Sequence, residues 1–355
     1  GQLERTPVRG LPAPLLARMS GPLISVIMVF RDVERFLDEA IRSVIGQDWP
    51  HWELVLVDDG SADGGTAIAR RYAESHPQRI RYLDHRGHAG LGTSASRNAG
   101  VAAARGEYIA FLDGDDVYLP ARLSRHAEVL ARHPGVAMVQ SCLEYWWSWA
   151  AMPDGEGDHF ERPPMGDLRG LVDPPSLLLL LLETANATAA GICSFTIRRD
   201  LCLALGGCDE SFPGLFEDQV LTAKFYLEHP VYVMPDVLAR YRRHADSLVG
   251  RAGDAGLNAA RGKYLEWLER HMAQHGAYDP RVARAVRRAL VEFRHPNLWA
   301  LRQAPGDALR WLRAVGYAML PDVIARPVRT AWRRHKQRRT DRLLERARRQ
   351  VNGPP

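Results

Sequence analysis

Apolar residues fall along the first 150 positions of this chain in short continuous blocks, separated by polar stretches of helical period. "LISVIMVF" (23–30) has the uninterrupted β-branched character of a strand buried on both faces. "VERFLDEAIRSVIGQ" (33–47) sets Phe36, Leu37, Ala40, Ile41, Val44 and Ile45 on one helical stripe. "WELVLV" (52–57) reads as a second buried strand, ended by "DDGS", and the following "DGGTAIARRYAESH" reads as a helix. A third strand is expected over 79–85, a helix over 94–106, a fourth strand over 107–113, a helix entered near Pro120 and a further strand over 135–146. This alternation predicts βαβ units and a Rossmann-like, mostly parallel, twisted α/β sheet flanked by helices. Open sheets of that kind bind ligands beyond the carboxyl ends of their strands, where "DDGS" and "DGDD" both fall.

The rhythm breaks over 148–190, where a polar Pro/Gly loop precedes the leucine run 177–182, read as a core helix. A strand over 191–199, a loop entering a helix over 211–229, and a strand, turn and strand edge over 230–250 are expected next. Beyond about Arg251 the chain reads as helical and Arg-rich. The division implied is a flexible segment over 1–21, the α/β domain over 22–250 and a helical extension over 251–355.

The net charge of +5 is uneven. Asp322 to Pro355 carries eleven Arg or Lys against three acids, a net of +8, so the remainder is −3. The basic character thus belongs to the tail, and no nucleic-acid partner is implied for the body. The tail suits either a helix on an anionic membrane or a solvated basic end. Four cysteines without CxxC spacing suggest reduced, partly buried thiols. Pro12 and Pro14 interrupt the N-terminal stretch, which does not resemble a signal peptide, and the leucine run is too short to span a bilayer. A cytoplasmic address follows, with peripheral contact to the inner face of the plasma membrane as an extension of it.

The chemistry-bearing residues are mostly carboxylates. In "FLDGDD", Asp113 and Asp115 flank Gly114 and can turn toward one point, as a hard divalent cation would require; a plain turn would use the same residues. An EF-hand is excluded, because the twelfth position from Asp113 is Ser124. Asp58 and Asp59 could cap the helix that follows or bond a ribose or base. "RGHAGLGTSASRNAG" is Gly-rich and opens a helix, but it matches neither the Rossmann fingerprint nor a P-loop. Arg97 within it could reach a diphosphate. Glu217 and Asp218 open a helical stretch, as capping acids or as a general base over a cleft. His244 is a candidate metal ligand.

Taken together, "ISVIMVF", "VLVDDGSADGG", "SASRNAG", "FLDGDDVYLP", "FEDQVL" and "YRRHADS", in this order over about 22–250, resemble the inverting family-two glycosyltransferases of the GT-A fold. The resemblance implies that Asp59, with Asp58 beside it, contacts the donor nucleoside, with Val29 and Phe30 lining that pocket. It implies that Asp113, Gly114 and Asp115 form the DxD element, with Asp115 on a Mn²⁺ or Mg²⁺ ion, Asp113 on the ribose or in the metal shell, and His244 as a metal ligand or diphosphate contact. Arg97 would face the diphosphate, and Asp218 would be the catalytic base. The implied donor is a nucleoside-diphosphate sugar, a UDP-sugar first, and the acceptor a carbohydrate, lipid-linked or small-molecule hydroxyl. Phe30, Arg31 and Asp32 stand where many relatives have a small residue followed by Tyr-Asn, which bears on base preference.

Two rival classes are weighed against this. A nucleotidyltransferase would need a Gly-rich basic loop after the first strand, which is absent. A catalytically inactive sugar-nucleotide binder or scaffold would be expected to lack Asp218 or the DxD acids, and all are present. Trp146, Trp147 and Trp149 either stack on acceptor sugars or lie buried under the loop.

Overall fold

All seven residues of β1 (Ile24–Phe30) are buried, and alternate ones serve opposite faces of the sheet. Val26 and Met28 join one core, with Leu37, Ile41, Leu54 and Leu56; Ile27 and Val29 join the other, with Val55, Val57, Val101 and Phe111. Each such side chain contributes about 1.5–3 kcal/mol by leaving water, which is why the run is apolar on both sides. The computed structural model describes residues 21–149, 158–161, 169–184, 191–276 and 279–295.

β1 pairs in parallel with β2 (Trp52–Asp58) on one side and β4 (Tyr108–Asp113) on the other, and β3 (Ile80–Asp84) extends the sheet beyond β2. The register sets Asp58 opposite Phe30 and Asp113 opposite Val29. Both acidic turns therefore leave the same end of the sheet, with β1 between them. α1 (Glu34–Ile45) buries Phe36, Leu37, Ala40, Ile41 and Val44, the stripe expected from the sequence. α2 (Gly65–Ser75), α3 (Thr93–Ala103) and α4 (Arg122–Arg132) complete the repeating units.

The second half is mixed. β9 (Phe195–Arg198) inserts antiparallel between β4 and β6 (Met138–Trp146), and with β10 (Val231–Arg242) and β5 (Val117–Tyr118) at the far edge the order is β3-β2-β1-β4-β9-β6-β10-β5. The long ladders are parallel, and the antiparallel ones, including β7 (His159–Glu161) on β6 and β8 (Gly170–Val172) on β10, are short. This is the expected helix-flanked, mostly parallel architecture. One expectation is corrected: 230–250 is not two strands about a turn. β10 (Val231–Arg242) runs through Pro235 and Asp236, because the ladder to β6 is bulged between Val233 and Ala239, where a missing N–H costs little. β5 (Val117–Tyr118), leaving the "DGDD" turn, closes the edge against Ala239 and Arg240.

α5 (Ser176–Glu183) is the leucine helix, buried as expected. α6 (Arg199–Ala204) leads to a loop that enters α7 (Glu217–Glu228). α8 (Leu248–His275) bends at Gly253, whose φ is 57°, and α9 (Pro280–Arg294) follows. Tyr264, Leu265, Leu268, Val286 and Leu290 from these last helices share one core with α5 and α7. Cys193, Cys202 and Cys208 are buried, Cys142 is half-buried, and none of the four forms a disulfide. Among the described residues no helix is long and apolar enough to cross a membrane. The N-terminal segment up to 20 and the basic stretch 322–355 lie outside the described residues.

Candidate active site

The site lies where β1, β2 and β4 end. Asp58 is fully buried: its Oδ1 accepts from the Ser61 N–H at 2.8 Å, and its Oδ2 accepts from Thr66 Oγ1 at 2.5 Å and Tyr82 OH at 3.2 Å. Those bonds close the "DDGS" turn and tie it to Thr66 of α2 and Tyr82 of β3, so Asp58 braces the turn; the N-cap of α2 is Gly64, which has no side-chain cap bond. Asp59 Oδ1 accepts from the N–H groups of Leu91 (2.8 Å) and Gly92 (2.9 Å) and from Ser96 Oγ (3.0 Å). Its Oδ2 is the less occupied oxygen, with Gly92 N at 3.2 Å and the half-exposed Arg31 guanidinium at 3.9 Å. Phe30 and Val29 supply main-chain carbonyls that accept from Asp59 N and Gly114 N. A Cβ on Gly114 would lie 2.7 Å from Phe30 Cβ and 3.0 Å from Val33 Cγ2, so only glycine lets the acidic turn lie against β1.

Asp113, Asp115 and Asp116 diverge from that turn. Asp113 Oδ1 accepts from Arg97 Nη2 at 2.7 Å. Asp115 Oδ2 meets His244 Nε2 at 3.0 Å. Asp116 points inward, where Oδ1 accepts from Arg242 N at 2.9 Å and Oδ2 is buried with no partner. Burial pushes the Asp113 carboxyl up against the pull of Arg97, and burial beside Asp115 and Asp113 drives Asp116 well above the usual carboxylate range.

Arg242 was not singled out by sequence reading, yet it holds this turn. Its Nε donates to Asp115 O at 2.8 Å and its Nη2 to Glu39 on α1 at 2.5 Å. Its guanidinium sits over the rings of Trp146 (4.3 Å), Phe36 (4.7 Å) and Trp149 (5.3 Å). These two tryptophans are thus half-buried packing partners of an arginine, and Trp149 also donates its indole N–H to Arg243 O at 2.9 Å. His244 lies against Phe36, ring centroids 4.9 Å apart, with Nδ1 buried and unpartnered.

Opposite the turn, α7 begins at Glu217 immediately after Phe216, which adopts φ 66° and ψ 8°. A bulky residue in this left-handed region costs about 1–3 kcal/mol and persists where the surroundings impose it. Asp218 Oδ1 accepts from its neighbour's N–H, Gln219 N, at 2.7 Å. Glu217 Oε1 accepts from Arg97 Nη1. Burial pushes Glu217 up to about 7, opposed by Arg97, and burial raises Asp218 above the usual aspartate range, again opposed by Arg97. The sequence reading aimed Arg97 at a diphosphate; its side chain is 1% exposed and both Nη atoms are taken by carboxylates, so it stands behind the acids instead.

A divalent cation fits this arrangement as a two-point site. Asp115 offers a hard oxygen and His244 a nitrogen at one place, which suits Mn²⁺ or Mg²⁺ completed by ligand phosphates. Among the described residues no three His, Cys, Asp or Glu side chains come together to hold an ion alone. Asp113 does not join the pair, because Arg97 holds its Oδ1.

Residues 25–189 match the family model described as glycosyl transferase family 2. EpsE of Bacillus subtilis (strain 168), a proposed glycosyltransferase, is 41% identical over 114 residues, 32% of this chain and 40% of that protein. TuaG of the same organism, a proposed teichuronic acid biosynthesis glycosyltransferase, is 35% identical over 111 residues, 31% of this chain and 42% of that protein. The chain thus spans less than half of the length of these relatives. Among solved structures, S. aureus TarS 1-349 in complex with UDP-GlcNAc superposes with TM-score 0.55 at 18% identity, covering 92% of each chain. The mannosyltransferase PcManGT from Pyrobaculum calidifontis, in complex with GDP-Man and Mn²⁺, gives TM-score 0.54 at 21% identity over 99% of this chain and 92% of the other. The last two share the fold, and the family match falls on the strands and turns that carry Asp59, Arg97, Asp113 and Asp115: residues 25–189 are similar to glycosyl transferase family 2.

Proposed function

We propose that the protein is an inverting glycosyltransferase that moves a sugar from a nucleoside-diphosphate sugar to an acceptor hydroxyl. The observation that carries this reading is the bridge through Arg97. One guanidinium touches both Asp113, at the carboxyl end of β4, and Glu217, next to Asp218. The candidate base therefore stands across a single side chain from the acidic turn.

In this reading Asp59 and the carbonyl edge of Val29 and Phe30 take the nucleoside, with Arg31 beside Asp59, and the backbone at Gly114 lets the donor lie close. Asp115 and His244 would hold the cation, which when bound supplies positive charge to the departing diphosphate, while Asp113 stays with Arg97. Asp218 accepts the proton of the acceptor hydroxyl as that oxygen bonds the anomeric carbon. The bond from that carbon to the diphosphate oxygen breaks on the opposite face, so the configuration inverts. A raised carboxyl is a better proton acceptor than an ordinary aspartate near neutral pH.

UDP-GlcNAc and GDP-Man in the structural neighbours support a UDP- or GDP-sugar donor, and TuaG supports an envelope-polysaccharide acceptor. Residues 22–250 carry the chemistry, and the helices beyond 251 brace α7 from behind. Contact of the tail with an anionic membrane is tested by liposome flotation of the full chain against one truncated near 305. The decisive test is a screen of UDP- and GDP-sugars for binding, hydrolysis and transfer, with Mn²⁺ and with chelator. Mn²⁺-dependent turnover of one donor is expected; binding without turnover of any donor would favour the inactive sugar-nucleotide binder.

A further inference from the structure

We propose that Arg97 is a positioning residue: by bridging Asp113 and Glu217 it fixes the first turn of α7, and with it Asp218, relative to the acidic turn. The inference rests on the reading of Asp218 as the base.

A guanidinium is charged at any working pH and presents its donors in a planar fork, so it can serve two carboxylates at once from inside the protein. Burying it otherwise carries a heavy cost, which makes both acids necessary partners. Arg97 is also held from its own side, because α3 is fastened at several points. Ser96 Oγ donates to Asp59 at 3.0 Å, while Ser94 Oγ donates to Phe212 O at 2.6 Å and Thr93 N to Pro213 O at 2.9 Å. α3 thus forms a bar from the Asp59 turn to the loop that precedes α7, and Arg97 is its contact with the helix itself.

The α7 end needs such a hold. Phe216 is in a left-handed conformation that its side chain disfavours. Asp218 Oδ1 accepts from the helix's own Gln219 N–H, a bond that ties it to no distant element. Glu217 ties this turn to α3, and Phe216 adds a tilted ring contact with Tyr264, centroids 5.8 Å apart. A core ion pair serving stability alone could join any two elements. This one joins the two that carry the proposed donor acid and the proposed base.

Glu217→Gln and Arg97→Lys in the full chain test this. Lysine keeps the charge but, as a compact single ammonium, cannot reproduce the fork. Hydrogen exchange of amides 219–222 reads the anchoring without any need for activity. We expect at least tenfold faster exchange there in both variants, with β1 and β2 unchanged. In kinetics, Glu217→Gln should lower kcat about 10–100-fold with donor KM within about threefold, since Asp113 keeps Arg97. Arg97→Lys should worsen both kcat and donor KM. Unchanged exchange at 219–222, or a loss of protection spread evenly over the chain, would overturn the proposal. Should Arg97→Lys fail to fold, the near-isosteric Glu217→Gln carries the test alone. If exchange rises locally but the wild-type chain turns over no donor, the transferase reading falls and the anchoring by Arg97 stands.

Discussion

Replacing Arg242 by methionine keeps a long unbranched side chain among Phe36, Trp146 and Trp149 but removes the charge. The main-chain N–H of residue 242 still serves Asp116 Oδ1, so that bond survives. The Nε bond to Asp115 O is lost, and a hydrogen bond from a charged donor contributes about 1.5–3 kcal/mol. Cation–π contact with a desolvated ring adds about 0.5–2 kcal/mol. The pair with Glu39 adds little, because that carboxylate is half exposed. Together these predict a loss of about 2–5 kcal/mol in urea unfolding. The loss concentrates under Asp115 and His244, so Mn²⁺-dependent binding of a donor nucleotide, followed by calorimetry, should weaken about tenfold, equivalent to about 1.4 kcal/mol. Stability within about 0.5 kcal/mol of the wild type, with unchanged nucleotide affinity, would refute the idea that Arg242 holds the acidic turn.

Gly92→Ala is expected to destabilise by more than about 1 kcal/mol, since its φ of +94° disfavours a side chain and the new Cβ would lie 2.7 Å from Pro213 Cβ and O; thermal unfolding reads this, and an unchanged midpoint would contradict it. The pH profile of kcat/KM should rise on its acid side as Asp218 ionises. Because burial raises that carboxyl in the folded protein, the midpoint of the limb should lie above the ordinary 3.8. A limb centred at or below that value would mean that Asp218 is not the group whose ionisation is observed.

Much of the sheet was legible because parallel strands buried on both faces leave unbroken apolar runs, and β1, β2 and β4 fell where those runs do. β5, β7 and β8 were not legible, since two or three residues at a sheet edge carry no periodic signal. β10 was misdivided because a proline in a strand normally argues for a break, and only the bulge reveals why it is tolerated here. At the site, the acids were found from local spacing, but their partners come from far along the chain. Arg242 reaches Asp115 across 127 positions, and Arg97 reaches Glu217 across 120. The motif "YRRHADS" offered two adjacent arginines, and nothing local distinguishes the one that turns inward. For Asp58, three hydrogen-bond donors from the turn, α2 and β3 converge on one buried carboxylate and make it a brace of the turn, and that convergence is tertiary.

The measurement that bears most directly on the central claim is turnover and donor binding in Asp218→Asn. The amide preserves shape and the bond from Gln219 N but cannot accept the acceptor's proton. Loss of an aligned base costs about 10²–10⁴-fold in rate, or roughly 3–5 kcal/mol of barrier. The account predicts that donor affinity stays within a factor of about three of the wild type while kcat for transfer falls by at least a hundredfold. Transfer at the wild-type rate in Asp218→Asn would contradict it.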